Sequence, residues 1–169
     1  MRTSKLLMLF FILLSQNSIG QNEQYLREEY VLKLFVDKEH FYEQNVQTSP
    51  YLVKDNVLQI YTGEKVAIEL NIVSDEIASL RIADENSDPK KTINIEVTQT
   101  VKDSVNESIM LKIENATNEE IGYKAKFFAV GGEQWIETNV LSVKPNLTSY
   151  ELWNDVIITL ALSDWVIIR

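Results

Sequence analysis

The stretch Val66-Ala67-Ile68-Glu69-Leu70-Asn71-Ile72 decides the fold class. Val66, Ile68, Leu70 and Ile72 fall on one face of an extended chain, with Ala67, Glu69 and Asn71 on the other. Successive side chains of a strand point to opposite faces, so this period of two predicts a strand buried on one side only. The same alternation recurs in Ile93, Ile95 and Val97 against Asn94, Glu96 and Thr98, and in Ile109, Leu111 and Ile113 against Met110 and Lys112. It recurs again in Tyr123, Ala125, Phe127 and Ala129 against Lys124 and Lys126, until Phe128 sets an aromatic ring on the polar side. Weaker alternation predicts further strands at 31–36, 57–61, 77–82, 135–143 and 156–168. The last is too long for one flat strand, and Ser163-Asp164 predicts a bulge within it.

Turn-forming residues separate these runs: Thr62-Gly63-Glu64, residues 84–89, residues 115–119, Gly131-Gly132 and Pro145-Asn146. Glycine adopts positive φ at little cost, so Gly131-Gly132 suits a tight hairpin. Eight or nine short strands with frequent turns predict an all-β protein, an antiparallel β-sandwich. Residues 37–56 are the main exception to the strand pattern. They hold His40, Phe41, Tyr42, Pro50 and Tyr51, and a connection of that length is uncommon unless it carries a function. The segment is therefore expected to be either a binding loop or a crossover between the sheets. Residues 21–30 are polar and predict a short helix or a frayed lead-in.

The run Leu111-Lys112-Ile113-Glu114-Asn115-Ala116-Thr117, followed by Tyr123-Lys124-Ala125, resembles adjacent strands of immunoglobulin-like exported domains. The C-terminal third, with GYKAKFF, Trp135, VKPNLTSYELW and the final Ile/Leu strand, is similar to uncharacterised secreted bacterial proteins. That resemblance implies an immunoglobulin-like sandwich and transfers no function. The paired cysteines of antibody-type domains are absent.

Residues 1–20, MRTSKLLMLFFILLSQNSIG, read as a secretory signal peptide. Arg2 and Lys5 make a positive start, Leu6 through Leu14 are all apolar, and Ser18 and Gly20 set small side chains before the expected cut at Gly20-Gln21. The apolar run is too short to span a hydrocarbon core as a helix, and no Cys follows it for lipid attachment, so no stable membrane anchor is expected. Export leaves one domain, residues 21–169, secreted or periplasmic. Loss of Arg2 and Lys5 takes the formal charge from −9 to −11.

Composition removes several functions. With no Cys there is no disulfide scaffold, thiol nucleophile or cysteine zinc site, and a single His is too few for the imidazole-rich metal centres. Sixteen basic against 25 acidic residues argue against nucleic acid, whose affinity comes from neutralising phosphates. The five glycines form no phosphate-cradling motif. No cofactor is predicted.

Several features invite chemistry. Asp84, Asn86 and Asp88 have a spacing that suits calcium, although Pro89 and Ile95 stand where an EF-hand needs Gly and Glu. His40 lacks the G-x-S-x-G elbow that would supply a serine nucleophile. Trp135, Tyr150 and Trp153 invite sugar stacking, or else plug the ends of the sandwich. Asn106, Asn115 and Asn146 each head an N-x-[ST] triplet.

The reading that gathers these points is an exported, non-enzymatic β-sandwich that binds a protein or glycan partner. Its expected surface comprises His40, Phe41, Tyr42, Tyr51, Trp135, Tyr150 and Trp153, the first five of them on the candidate contact segments 37–56 and 131–135. A carbohydrate-binding module and a small secreted hydrolase using carboxylates are the alternatives. Export predicts that the protein recovered from its native host begins at Gln21. Intact-mass measurement checks this, and a product retaining residues 1–20 contradicts it.

Overall fold

In the computed structural model, which describes residues 25–169 apart from the side chain of Asp55, the chain is almost entirely antiparallel β-structure. The signal segment and its expected cleavage point lie outside the described residues. The strands are β1 (Leu26–Arg27), β2 (Tyr30–Phe35), β3 (Phe41–Val46), β4 (Ser49–Pro50), β5 (Leu58–Tyr61), β6 (Lys65–Val73) and β7 (Glu76–Ile82). They continue as β8 (Thr92–Lys102), β9 (Val105–Asn115), β10 (Glu120–Ala129), β11 (Ile136–Thr138), β12 (Thr148–Trp153) and β13 (Ile157–Ile168). Five strands form one sheet in the order β12-β9-β8-β6-β7, and four form another in the order β11-β10-β13-β5. β1 pairs with β4, and β2 with β3.

The period-two faces meet between the two large sheets. Val66, Ile68 and Leu70 of β6, Ile93, Ile95 and Val97 of β8, and Ile109, Leu111 and Ile113 of β9 share one core with the opposite sheet. Leu58 and Ile60 of β5, Tyr123, Ala125 and Phe127 of β10, and Leu160 and Leu162 of β13 supply that other side. Two antiparallel sheets on one apolar layer are consistent with a β-sandwich. Each large aliphatic side chain buried here contributes about 1.5–3 kcal/mol relative to exposure. Ile72 departs from the expected pattern. The β6–β7 register shifts between Asn71 and Ile72, which leaves Ile72 exposed.

The bulge expected at Ser163-Asp164 is present. Gly122 pairs with Val166 but Lys124 pairs with Ser163, so β13 carries one residue more than β10 over this stretch. Asp164 absorbs it at φ +52. Trp165 thereby turns inward, where its ring stacks on Tyr123 with centroids 5.4 Å apart. Two hairpins turn through residue pairs without glycine, Ser74-Asp75 (φ +51, +65) and Asp103-Ser104 (φ +50, +65). Positive φ at both positions is the type I′ geometry that matches strand twist.

Four sequence expectations are corrected. Residues 37–56 are neither a loop nor a crossover: they contain β3, β4 and a 3-10 turn, Lys54–Asn56. The inward positions of β3 are Tyr42, Gln44 and Val46, and two polar groups among three hide the alternation. Strand 135–143 shrinks to β11, because its apolar residues at 135, 136, 140, 141 and 143 do not keep period two. The chain leaves β10 after Thr138 and returns only where Val143 bridges Ile121. Gly131-Gly132 lies in a longer connection between Ala129 and Ile136 rather than a two-residue hairpin, with Gly131 at φ +75. Residues 26–27, expected as helix or lead-in, are strand.

The β2–β3 hairpin covers the outer face of the four-stranded sheet. Leu32, Leu34 and Val46 pack on Ile158, with Tyr61, Phe128, Val130 and Val156 around them. This explains why Phe128 interrupts a polar face in the sequence.

At the start of that hairpin, Arg27 is buried, only 2 % exposed. Its Nε donates to Glu64 Oε1 at 3.0 Å, Nη1 to Ser49 Oγ at 3.0 Å and Nη2 to the Gln59 carbonyl at 2.6 Å. The guanidinium also lies over the rings of Tyr51 and Tyr61, 4.6 and 4.9 Å from their centroids. Glu64 Oε2 accepts the Tyr61 N–H at 2.8 Å. Burial, and then the Glu64 carboxylate, push the Tyr30 phenol above its ordinary range. A buried charge is tolerable only with its partner, and removing one member strands the other. Arg27→Met is therefore expected to destabilise the protein by about 3–5 kcal/mol in urea unfolding. Arg27→Met combined with Glu64→Leu should recover much of that loss; a double variant as unstable as the single one contradicts the assignment.

Candidate interaction surface

Two side-chain amides and one backbone bond gather four turns at one end of the molecule. Gln99 on β8 pairs with both peptide groups of Phe35: its Oε1 accepts the Phe35 N–H at 3.0 Å, and its Nε2 donates to the Phe35 carbonyl at 2.7 Å. That Nε2 also donates to Asn106 Oδ1 at 2.9 Å, and Asn106 Nδ2 donates to the Asn154 carbonyl at 2.9 Å. Val130 N–H donates to the Val156 carbonyl at 2.8 Å. The β2–β3, β8–β9, β10–β11 and β12–β13 turns thus stand together.

The β2–β3 turn is closed by Asp37, whose Oδ1 accepts the N–H groups of Glu39 and His40, each at 2.9 Å. His40 is exposed, with Nδ1 2.8 Å from the same oxygen. The Glu39 N–H, and then His40, hold the Asp37 carboxyl below its usual range. Phe41 is 54 % exposed, lies opposite Phe35, and carries the Lys33 ammonium 3.9 Å from its ring centroid. Across the same end, Trp135 is 42 % exposed and meets Phe128 edge-on, with centroids 5.9 Å apart.

The remaining expected surface residues are elsewhere. Tyr42 faces inward beneath the hairpin and donates to Gln44 Oε1 at 2.7 Å. Tyr51 is half-buried against Arg27. Trp153 packs on the core beside Phe127, and its Nε1 donates to Thr138 Oγ1 at 3.0 Å. Tyr150 is exposed on β12. The seven residues therefore do not form one patch. His40, Phe41 and Trp135 stand exposed at the turn-bearing end, joined by Phe35, which the sequence reading did not single out. Its place among the apolar residues of a predicted strand gave no sign of exposure.

Other sequence features are used by the fold. Asp84 accepts the Asn86 N–H at 2.8 Å and the Tyr25 hydroxyl at 3.1 Å, and Asp88 accepts the Lys90 N–H at 3.0 Å. Among the described residues no group of three or more His, Asp or Glu is placed to hold a metal ion. Asn115 is buried: its Nδ2 donates to the carbonyls of Glu119 and Val143, at 2.8 and 3.0 Å, and its Oδ1 accepts Thr117 Oγ1 at 2.7 Å. That N-x-T triplet is a structural turn with an inaccessible amide. No described helix is long and apolar enough to cross a membrane.

No protein-family model, no curated protein and no solved structure matches the chain. The three tryptophans span buried, half-buried and exposed settings. Acrylamide should accordingly quench a red-shifted minority of the emission, and Trp135→Phe should remove that component. An unchanged quenching curve in Trp135→Phe contradicts the exposed placement.

Proposed function

We propose that this chain is an exported, non-enzymatic β-sandwich, immunoglobulin-like in architecture, which binds another macromolecule outside the cytoplasm. The observation that carries the reading is the turn-bearing end, where exposed Phe35, Phe41, His40 and Trp135 stand on turns tied together by Gln99, Asn106 and the Val130–Val156 backbone bond. Aromatic rings held on a rigid frame bury large area at low entropic cost, which is the physics of binding loops on sandwich scaffolds. The sequence of residues 1–20 supports export. The likeness to immunoglobulin domains is one of layers, since β6, β7, β8 and β9 lie side by side in one sheet, unlike the ABED/CFG order. With a formal charge of −9, the chain favours a neutral or basic partner surface over an acidic one.

A photo-crosslinking residue at His40 or Trp135 is expected to give a discrete adduct in the native host. The same group at Lys90, exposed in the Pro89–Lys91 turn at the opposite end of β8, should give none. Equal labelling from all three positions, or turnover of glycans or esters by the purified protein, overturns the reading.

A further inference from the structure

The four outer strands of the two large sheets are not treated alike. The free side of β5 is covered: Gln59 N–H donates to the Tyr51 carbonyl at 2.9 Å, Leu52 bridges Leu58, and Arg27 donates to the Gln59 carbonyl. The free side of β7 is blocked by Asn56, whose amide accepts the Leu80 N–H at 3.2 Å and donates to the Ala78 carbonyl at 3.4 Å. β11 lasts three residues before the chain departs. Among the described residues no group covers the peptide edge of β12, whose Glu151 Oε1 accepts the Leu141 N–H at 2.8 Å through its side chain only.

The polarity of the β12 edge follows from one bond. Asn115 N–H donates to the Leu147 carbonyl at 2.9 Å, in register with Thr148 opposite Glu114. Peptide groups alternate sides along an antiparallel strand, so Ser149, Glu151 and Trp153 turn theirs toward β9. Thr148, Tyr150 and Leu152 turn theirs away, and no described residue takes them up. Tyr150 and Leu152 are also 54 % and 62 % exposed, and Leu147 and Leu141 are exposed beside them. An unbulged edge strand that exposes large side chains such as Tyr150 and Leu152 is normally covered.

We propose that β12 pairs antiparallel with β12 of a second copy of this chain, about a two-fold axis through Tyr150, joining the two five-stranded sheets. In that register Tyr150 exchanges both peptide hydrogen bonds with Tyr150 of the second copy, and Thr148 and Leu152 exchange theirs with each other. Glu151 then stands opposite Ser149, so no carboxylate faces another. A centre at Glu151 would set two carboxylates face to face. A centre at Ser149 would pair Leu152 with Asn146, which lies in a turn at φ +57. The net negative charge of two copies opposes association over long range, but at physiological salt it is screened beyond about 8 Å. The inference is independent of the export and partner readings, because the free peptide groups of Thr148, Tyr150 and Leu152 are not among the turn residues that carry them.

Sedimentation of the purified protein at physiological salt should show a reversible monomer–dimer equilibrium. Tyr150→Asp and Tyr150→Lys would each place like charges directly opposite, and each should weaken the dimer by about tenfold or more. An equimolar mixture of the two should restore it. The chain has no cysteine, so Tyr150→Cys offers a second measurement. Opposed residues in such a pair lie about 5.5 Å apart at Cα, within disulfide reach. Mild oxidation should therefore link Tyr150→Cys to itself much faster than Lys90→Cys. A wild-type protein that stays monomeric, a dimer indifferent to Tyr150→Asp, a mixture that fails to reassociate, or equal linking rates for the two cysteine variants overturns the proposal.

Discussion

The four-stranded sheet must bury both of its faces, and most of the architecture follows from that requirement. One face carries Tyr123, Phe127, Leu160 and Leu162 into the common core, while the other presents Phe128, Ile158 and Tyr61. An outer face of this kind cannot stand in water, because each large apolar side chain left exposed forfeits about 1.5–3 kcal/mol. The β2–β3 hairpin supplies the missing layer. Its two strands pair only with each other, so side chains hold it in place: the apolar cluster against the four-stranded sheet in the middle, Arg27 at one end, and Gln99 of β8, in the five-stranded sheet, at the other. The buried Arg27–Glu64 pair adds little net stability on general grounds, but it fixes where the hairpin begins.

Side-chain amides recur at three places where backbone would otherwise be left unpaired. Gln99 completes both peptide groups of Phe35, Asn56 does the same for Ala78 and Leu80, and Asn115 satisfies the carbonyls of Glu119 and Val143. A carboxamide carries one acceptor and two donors in a plane, like a peptide, so it can end a strand edge as another strand would. Buried or edge backbone without a partner is costly, which gives these polar residues a structural reason to be where they are. β12, without such a residue, is the contrasting case.

Where one face of a strand is buried and the other wet, the sequence was legible. β6, β8, β9 and β10 alternate so regularly that their core residues can be named from the sequence, Ile72 at the β6 register shift excepted. The long C-terminal strand and its bulge at Asp164 were legible too. The hairpin strand β3 was not, because it covers its neighbour with Tyr42 and Gln44 rather than a row of aliphatics. The Ser74-Asp75 and Asp103-Ser104 turns also went unread, since neither contains the glycine that usually marks a type I′ turn. Of the expected surface, His40, Phe41 and Trp135 are exposed at one end, whereas Tyr42, Tyr51 and Trp153 are committed to packing. An aromatic residue reads the same in sequence whether it fills a core or faces water.

By itself, then, the sequence determined the β-class, the faces of the main strands, and the chemistries closed to a chain with no Cys and one His. These rest on local periodicity and on residue inventory, neither of which needs a partner from elsewhere in the chain. Only the tertiary structure decided that β3 folds back on β2 as a covering hairpin, that Arg27 is an internal cation, and that four turns meet at one end. It alone left β12 as the uncovered edge. Those outcomes depend on pairings between residues such as Arg27 and Glu64 or Phe35 and Gln99, far apart in the chain, and no local pattern encodes which distant group will satisfy a buried charge or an unpaired peptide.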